Sequence, residues 1–229
     1  MARKVETQVR VGAVAGVILA GGKGSRLFAD RPGEKPLVPL GGKPMIAHVV
    51  ERLQPQVLEL AIATTAQGAP AAKLSKLVGS GVEILHDTAA EMDGDSVGPL
   101  GGLLAGLEWA RRAAPYCMLL ATVPADVPFI PLDLVPRLAG HMHVVETDVL
   151  VLRAGAQRHN AIALWSTKLA PKLRLAIERD GMRKVDDFIA SLRVAELIWP
   201  RRMTRPDPFH NVNTPEDLQR AQLRLRGRS

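Results

Sequence analysis

Along this chain, short apolar runs alternate with longer stretches in which apolar residues recur at helical spacing. Val14–Leu19, Val57–Ala63, Val82–Leu85, Tyr116–Val123, Val149–Leu152, Ala161–Trp165 and Arg193–Ile198 are the strand-like runs, each bounded by turn residues. Between them, Pro44–Leu53 places Ile46, Val49, Val50 and Leu53 on one face, with Pro44 suited to a first turn. Ala69–Val78, Pro131–Ala139, Lys168–Glu178 and Val185–Leu192 read as further helices. Gly98-Pro99 opens another, whose Leu100, Leu103, Leu104 and Leu107 share a stripe. The last helix is signed by Thr214 as N-cap, Pro215 at its first position, and Glu216 and Asp217 in its first turn. Strands alternating with helices give a three-layer α/β fold with a mainly parallel sheet. Without repeats or low-complexity linkers, residues 1–229 form one expected domain, with 1–12 and 226–229 as loosely ordered tails.

The first strand empties into Leu19-Ala20-Gly21-Gly22-Lys23-Gly24-Ser25-Arg26-Leu27. Closely spaced glycines let backbone approach a ligand with no Cβ in the way. Consecutive N–H groups there can form an anion-binding nest, and Lys23 and Arg26 add positive charge. The loop is either such a phosphate cradle or a tight strand-to-helix turn with two surface cations. It matches neither the P-loop nor the dinucleotide Gly-x-Gly-x-x-Gly pattern.

Composition narrows the choice. Apolar residues make up 47% of the chain, enough for a full core. No apolar run approaches the roughly 18–20 residues of a membrane helix. The single cysteine, Cys117, cannot form an internal disulfide and reads as a small buried hydrophobe, which suits a cytoplasmic protein. Net charge is +7, gathered at Arg3, Lys4 and Arg10, at Arg201, Arg202 and Arg205, and at Arg220, Arg224, Arg226 and Arg228. Four Phe, three Trp and one Tyr, scattered, supply no stacking platform for single-stranded nucleic acid. Solvated termini plus a basic cleft for a polyanionic small molecule explain the charge better.

Ligands of open α/β sheets bind beyond the carboxyl ends of the strands. Asp87 and Asp126 both follow strand-like runs there, on the edge of the glycine loop. Pro124 and Pro128 restrict the backbone around Asp126. Its carboxylate is either a turn cap or a ligand for Mg²⁺ shared with phosphate oxygens. Asp87 is a weaker candidate of the same kind. Lys35 lies in a Pro32–Pro36 loop from which an ammonium could reach a triphosphate. In Asn211-Val212-Asn213 the two amides point to one side if extended, and either bind phosphate or a heterocycle or serve as caps. Arg183 and Lys184 follow Gly181, and His159 and Asn160 precede a strand, as secondary candidates. No Ser/His/Asp, Cys/His or His-Glu-x-x-His arrangement supports hydrolase or zinc chemistry.

Taken together, Leu19-Ala20-Gly21-Gly22 with Arg26 and Lys35, Gly98-Pro99-Leu100-Gly101-Gly102-Leu103, Pro124-Ala125-Asp126-Val127-Pro128 and Asn211-Val212-Asn213-Thr214-Pro215 resemble the molybdenum cofactor guanylyltransferase family, the MobA type. The likeness runs from about Val14 to Gln222. It implies a Rossmann-like nucleotidyltransferase fold, similar to that of glycosyltransferases of the A type. It also implies transfer of GMP from GTP to molybdopterin with release of pyrophosphate. By the same resemblance Leu19, Ala20, Gly21, Gly22, Lys23, Lys35, Asp87 and Asp126 would bind the nucleotide. Lys35, Arg26 and Asp126 would be catalytic, Asp126 holding Mg²⁺, and Arg183, Asn211 and Asn213 would face the pterin acceptor. Implied partners are these small molecules and other proteins of cofactor biosynthesis, with no nucleic acid or membrane. The chain departs from the family at Ala63-Thr64-Thr65, where an Asn often reads the base, at Leu27-Phe28 in place of Met-Gly, and in a longer loop at Ala89–Val97. Open alternatives are a nucleotidyltransferase using CTP or another acceptor, a non-catalytic nucleotide or cofactor carrier, and a nucleic-acid binder.

Overall fold

A computed structural model describes residues 13–21, 27, 34–65, 69–79, 81–86, 99–142, 146–200 and 206–227. Its strands are β1 (Val14–Leu19), β2 (Pro39–Leu40), β3 (Lys43–Pro44), β4 (Glu59–Thr64), β5 (Glu83–His86), β6 (Leu119–Pro124), β7 (Val149–Ala154), β8 (Gln157–Ser166) and β9 (Val194–Trp199). Its helices are α1 (Met45–Leu53), α2 (Ala71–Val78), α3 (Pro99–Ala113), α4 (Leu134–Met142), α5 (Ala170–Glu178), α6 (Val185–Ala190) and α7 (Pro215–Leu225). Seven strands form one sheet in the order β5-β4-β1-β6-β8-β7-β9. Every pairing is parallel except those of β8 with β6 and with β7. β1 lies inside the sheet, between β4 and β6, so its apolar run is covered on both faces.

Alternation along the strands sends successive side chains into two cores. Ile18, Ile62, Val123, Leu150 and Leu164 pack with α1, α2 and α4. Val17, Ala61, Leu120, Val151 and Trp165 pack with α3, α5 and α6. Helix α3 comes close to the sheet through its glycines: a Cβ on Gly106 would stand 2.9 Å from Val17 Cγ1, and one on Gly102 would stand 3.3 Å from Leu19 Cδ2. The buried indole of Trp165 is satisfied by donating to Thr122 Oγ1 at 3.0 Å.

The elements expected from the sequence are present, with informative shifts. The fourth strand of the main chain order expected at Tyr116–Val123 begins only at Leu119. Tyr116 and Met118 are half exposed, so the apolar run continues past the sheet's amino edge. The expected strand Val57–Ala63 likewise starts at Glu59, leaving Leu58 exposed. The run at Ala161–Trp165 is the end of the longer β8, which forms a hairpin with β7 through Gly155 (φ 60). Its first half escaped detection because it is polar, with Arg158 ion-paired to Glu196 at 3.3 Å. The hairpin β2–β3 was not expected; its turn places Gly41 and Gly42 at φ 61 and 86, where glycine is favoured. Among the described residues, no helix is long and apolar enough to cross a membrane.

Candidate functional site

The carboxyl ends of β1, β4 and β6 meet at one edge of the sheet. Beyond β1, Ala20 N donates to Ala63 O at 2.7 Å, and Leu19 O accepts from Ala125 N at 3.0 Å. Gly21 lies against Thr65, where a Cβ would stand 2.7 Å from Thr65 Cγ2, and the Thr65 hydroxyl donates to Gly21 O at 3.3 Å. The start of the glycine loop is therefore tied to both neighbouring strands. Gly22, Lys23, Arg26 and Asp87 lie outside the described residues.

Asp126 follows β6 in a turn whose backbone is tethered from a distant segment, Val212 N donating to Asp126 O at 2.9 Å. That tether brings Asn211 to Asp126 and Asn213 to Lys35, the ion-pair partner of Asp126. Asn211 Nδ2 donates to Asp126 Oδ1 at 3.1 Å, and Lys35 Nζ forms an ion pair with Asp126 Oδ2. Lys35 also donates to Asn213 Oδ1 at 2.7 Å. The Lys35 and Asp126 side chains are 11% and 18% exposed, so the pair is held largely away from water. Lys35 reaches it from a short 3-10 turn, Lys35–Leu37, between the glycine loop and β2. The preceding Glu34 is ion-paired to Lys73 at 2.6 Å.

The segment 211–213 is fixed by Asp217 at the start of α7. Asp217 Oδ2 accepts from Asn213 N and Thr214 N, both at 3.0 Å, and Thr214 Oγ1 accepts from Asp217 N at 3.2 Å, a reciprocal capping box. Its other oxygen accepts from His210 Nε2 at 2.8 Å and from Arg220 at 2.6 Å. Burial alone would raise the Asp217 pKa, but the His210 contact and the two backbone N–H groups outweigh it and hold the carboxyl well below the usual carboxylate range. The sequence reading took Asp217 only as a first-turn acid. In the structure it is the anchor that positions Asn213, a role signalled by the Thr-x-x-Asp spacing.

The residues expected from the sequence thus divide in a new way. Asn211 and Asn213, expected beside an acceptor, make their side-chain contacts to Asp126 and Lys35. Arg183 stands apart, just before α6, donating to Ile177 O and Met182 O at 3.3 and 3.1 Å. His159 and Asn160 lie within β8 rather than before it. His159 is buried against Phe209, with ring centroids 5.6 Å apart, and burial pushes its pKa down.

One carboxylate and two amides form the donor set around Asp126, and among the described residues no cluster of three His, Cys, Asp or Glu side chains could hold a metal by itself. Asp126 Oδ2 and Asn213 Oδ1 nonetheless already share a cation, the Lys35 ammonium. A hard oxygen pair of this kind suits a divalent ion that draws its remaining ligands from water and phosphate.

Residues 16–194 match the family model of the MobA-like NTP transferase domain. The chain is 37% identical over 210 residues to a molybdenum cofactor guanylyltransferase of Bradyrhizobium sp. (strain ORS 278), covering 92% of each. It is 40% identical over 213 residues to one of Cereibacter sphaeroides, covering 92% of this chain and 96% of the relative. In fold it is similar to the crystal structure of molybdopterin-guanine dinucleotide biosynthesis protein A from Archaeoglobus fulgidus, with a TM-score of 0.69 and 24% identity over 93% of this chain and 99% of the other.

Proposed function

The chain belongs to the MobA-like NTP transferase family, and we propose that its reaction is the transfer of GMP from GTP to molybdopterin, releasing pyrophosphate and forming a guanine dinucleotide cofactor. The observation that carries the site assignment is the convergence of Lys35, Asp126, Asn211 and Asn213 at the carboxyl edge of the sheet, beside the beginning of the glycine loop.

In the proposed arrangement Leu19 to Lys23 and Asp87 hold the nucleotide, and Arg26 and Lys35 lie against its phosphates. The terminal phosphate oxygen of the acceptor attacks the α-phosphorus. As that bond forms, the bond from the α-phosphorus to the bridging oxygen breaks, and its electron pair leaves on pyrophosphate. No covalent enzyme intermediate is required, because the acceptor phosphate is already an anionic nucleophile. The protein's contribution is positioning and charge neutralisation.

Asp126 and Asn213 would hold Mg²⁺, which when bound supplies charge neutralisation on the triphosphate. With phosphate present, the Lys35 ammonium has a second anion to serve besides Asp126. Its flexible four-carbon stem allows it to pivot from one to the other. Asn211 keeps the carboxylate oriented, and Asp217 keeps the 211–213 segment in register through its backbone.

The test is pyrophosphate release by wild type and Asp126→Ala with GTP, Mg²⁺ and acceptor. Asp126→Ala is expected to lose turnover while retaining the fold. A variant that turns over at the wild-type rate with undiminished Mg²⁺ dependence would overturn the assignment of Asp126.

A further inference from the structure

A polar cavity of about 440 Å³ opens where β8, β9 and α6 meet, bordered by Arg158, Asn160, Asp186, Ile189, Val194 and Glu196. It spans from Val194, at the amino edge of the sheet, to Asn160, whose side faces the edge that carries Asp126. β6 and β8 are antiparallel with Thr122 opposite Ala163, and extending that register carries the carboxyl end of β6 toward Ala161 and Asn160. Asn160 also marks an irregularity, for the pairing of β7 with β8 jumps from Leu152–His159 to Val151–Ala163. Such interruptions re-aim side chains and occur beside binding sites.

The polar groups here are unevenly matched. Glu196 is neutralised by two arginines, Arg153 at 2.5 Å and Arg158 at 3.3 Å. Asp186 instead accepts from the amide nitrogen of Asn160 at 2.5 Å. The amide oxygen of Asn160 is buried with no hydrogen-bond partner among the described residues. An unpartnered buried acceptor is costly, so the site is incomplete without a donor. The cavity therefore offers a carboxylate and an amide oxygen as acceptors, a guanidinium as donor, and an apolar wall at Ile189 and Val194.

We propose that this cavity receives the pterin-type heterocycle of the acceptor, with Asp186 and Asn160 as its specificity-determining residues. The proposal rests on the acceptor reading given above. A pterin presents an amino group and a ring N–H as adjacent donors, next to a ring carbonyl. The donors complement Asp186 and the Asn160 oxygen, and the carbonyl complements Arg158. The flat ring face lies against the apolar wall.

Two measurements test it. The fluorescence of free pterin is titrated with wild type, Asp186→Asn and Asn160→Leu, without turnover. Asp186→Asn keeps an acceptor for the Asn160 amide, so the local structure is preserved while the charge is lost. Quenching by wild type with affinity at least about tenfold weaker in both variants supports the site, as expected for loss of a charged hydrogen bond. No quenching by wild type, or equal affinity in all three proteins, overturns it. Steady-state transfer from GTP to molybdopterin is then measured: the acceptor KM is expected to rise about tenfold in Asp186→Asn with the GTP KM unchanged. Normal transfer with an unchanged acceptor KM overturns the pterin site but leaves the transferase reading standing. Loss of pterin binding in the variants of a chain that transfers no nucleotide supports the site and counts against the transferase reading alone.

Discussion

Lys35 and Asp126, separated by 91 positions, form an ion pair that Asn213 and Asn211 complete from the far end of the chain. Three chain segments therefore have to be in place before the site exists. A lysine balanced between a carboxylate and an amide is poised for transfer to phosphate.

Lys35→Ala is expected to lower kcat for nucleotidyl transfer by about 10²–10³, the range for removing one preorganised charge-stabilising donor. It also strips a partly buried carboxylate of its counter-ion, so a fall in thermal stability should accompany the loss. Stopped-flow pyrophosphate release and a thermal melt separate the two effects. An unchanged kcat in a folded variant would remove Lys35 from the catalytic group.

Asn211→Ala is expected to cost less, about tenfold in kcat, because it removes orientation of Asp126 rather than charge. Raising the Mg²⁺ concentration should recover part of the activity if the defect lies in carboxylate placement. An Mg²⁺ dependence identical to wild type would assign Asn211 to another task.

Thr214→Ala removes half of the capping box on α7 and should cost about 1 kcal/mol of stability. Asp217→Asn carries the pH signature. The folded pKa of Asp217 is depressed, so its charge contributes stability that is complete above the unfolded value near pH 4 and fades as pH falls below it. Melting temperatures of wild type and Asp217→Asn should thus differ at pH 7 and converge in acid. A gap that stays constant through that range would mean that the carboxylate charge is not what anchors the segment.

Two helical glycines, one on each face of the sheet, should behave oppositely. Gly106→Val forces a Cβ to 2.9 Å from Val17 Cγ1 and 3.2 Å from Leu120 Cδ2, and overpacking of this kind costs about 1–3 kcal/mol. Gly140 in α4 has nothing within 4 Å of an added Cβ, so Gly140→Ala should be neutral or stabilising by up to about 1 kcal/mol. Chemical denaturation of both variants checks the contrast.

The sheet and its helices were legible in the sequence because β1, β4 and α3 carry apolar patterns that match their burial. β2–β3 was missed: its strands are two residues each, and its signal is only the Gly41-Gly42 pair. The first half of β8 was missed because ion pairing at Arg158 hides a strand behind polar residues. Asp126 and Lys35 were recognisable as candidates from their position after a strand and a glycine loop. Their mutual contact was not, since spacing along the chain says nothing of two side chains 91 positions apart. For the same reason the contacts of Asn211 and Asn213 with Asp126 and Lys35 were not legible in the chain order.

Base choice is the least constrained element of the site. Where the family resemblance leads one to expect an asparagine, Thr64 is buried and its hydroxyl donates to Ala69 O at 3.0 Å, and the Thr65 hydroxyl donates to Gly21 O. The decisive measurement is therefore pyrophosphate release with each of the four nucleoside triphosphates in turn, with Mg²⁺, in the presence and absence of molybdopterin. The expected result is release with GTP only, and only when the acceptor is present. Release with CTP in its place, or none with any nucleotide, would contradict the assignment of this chain as a guanylyltransferase.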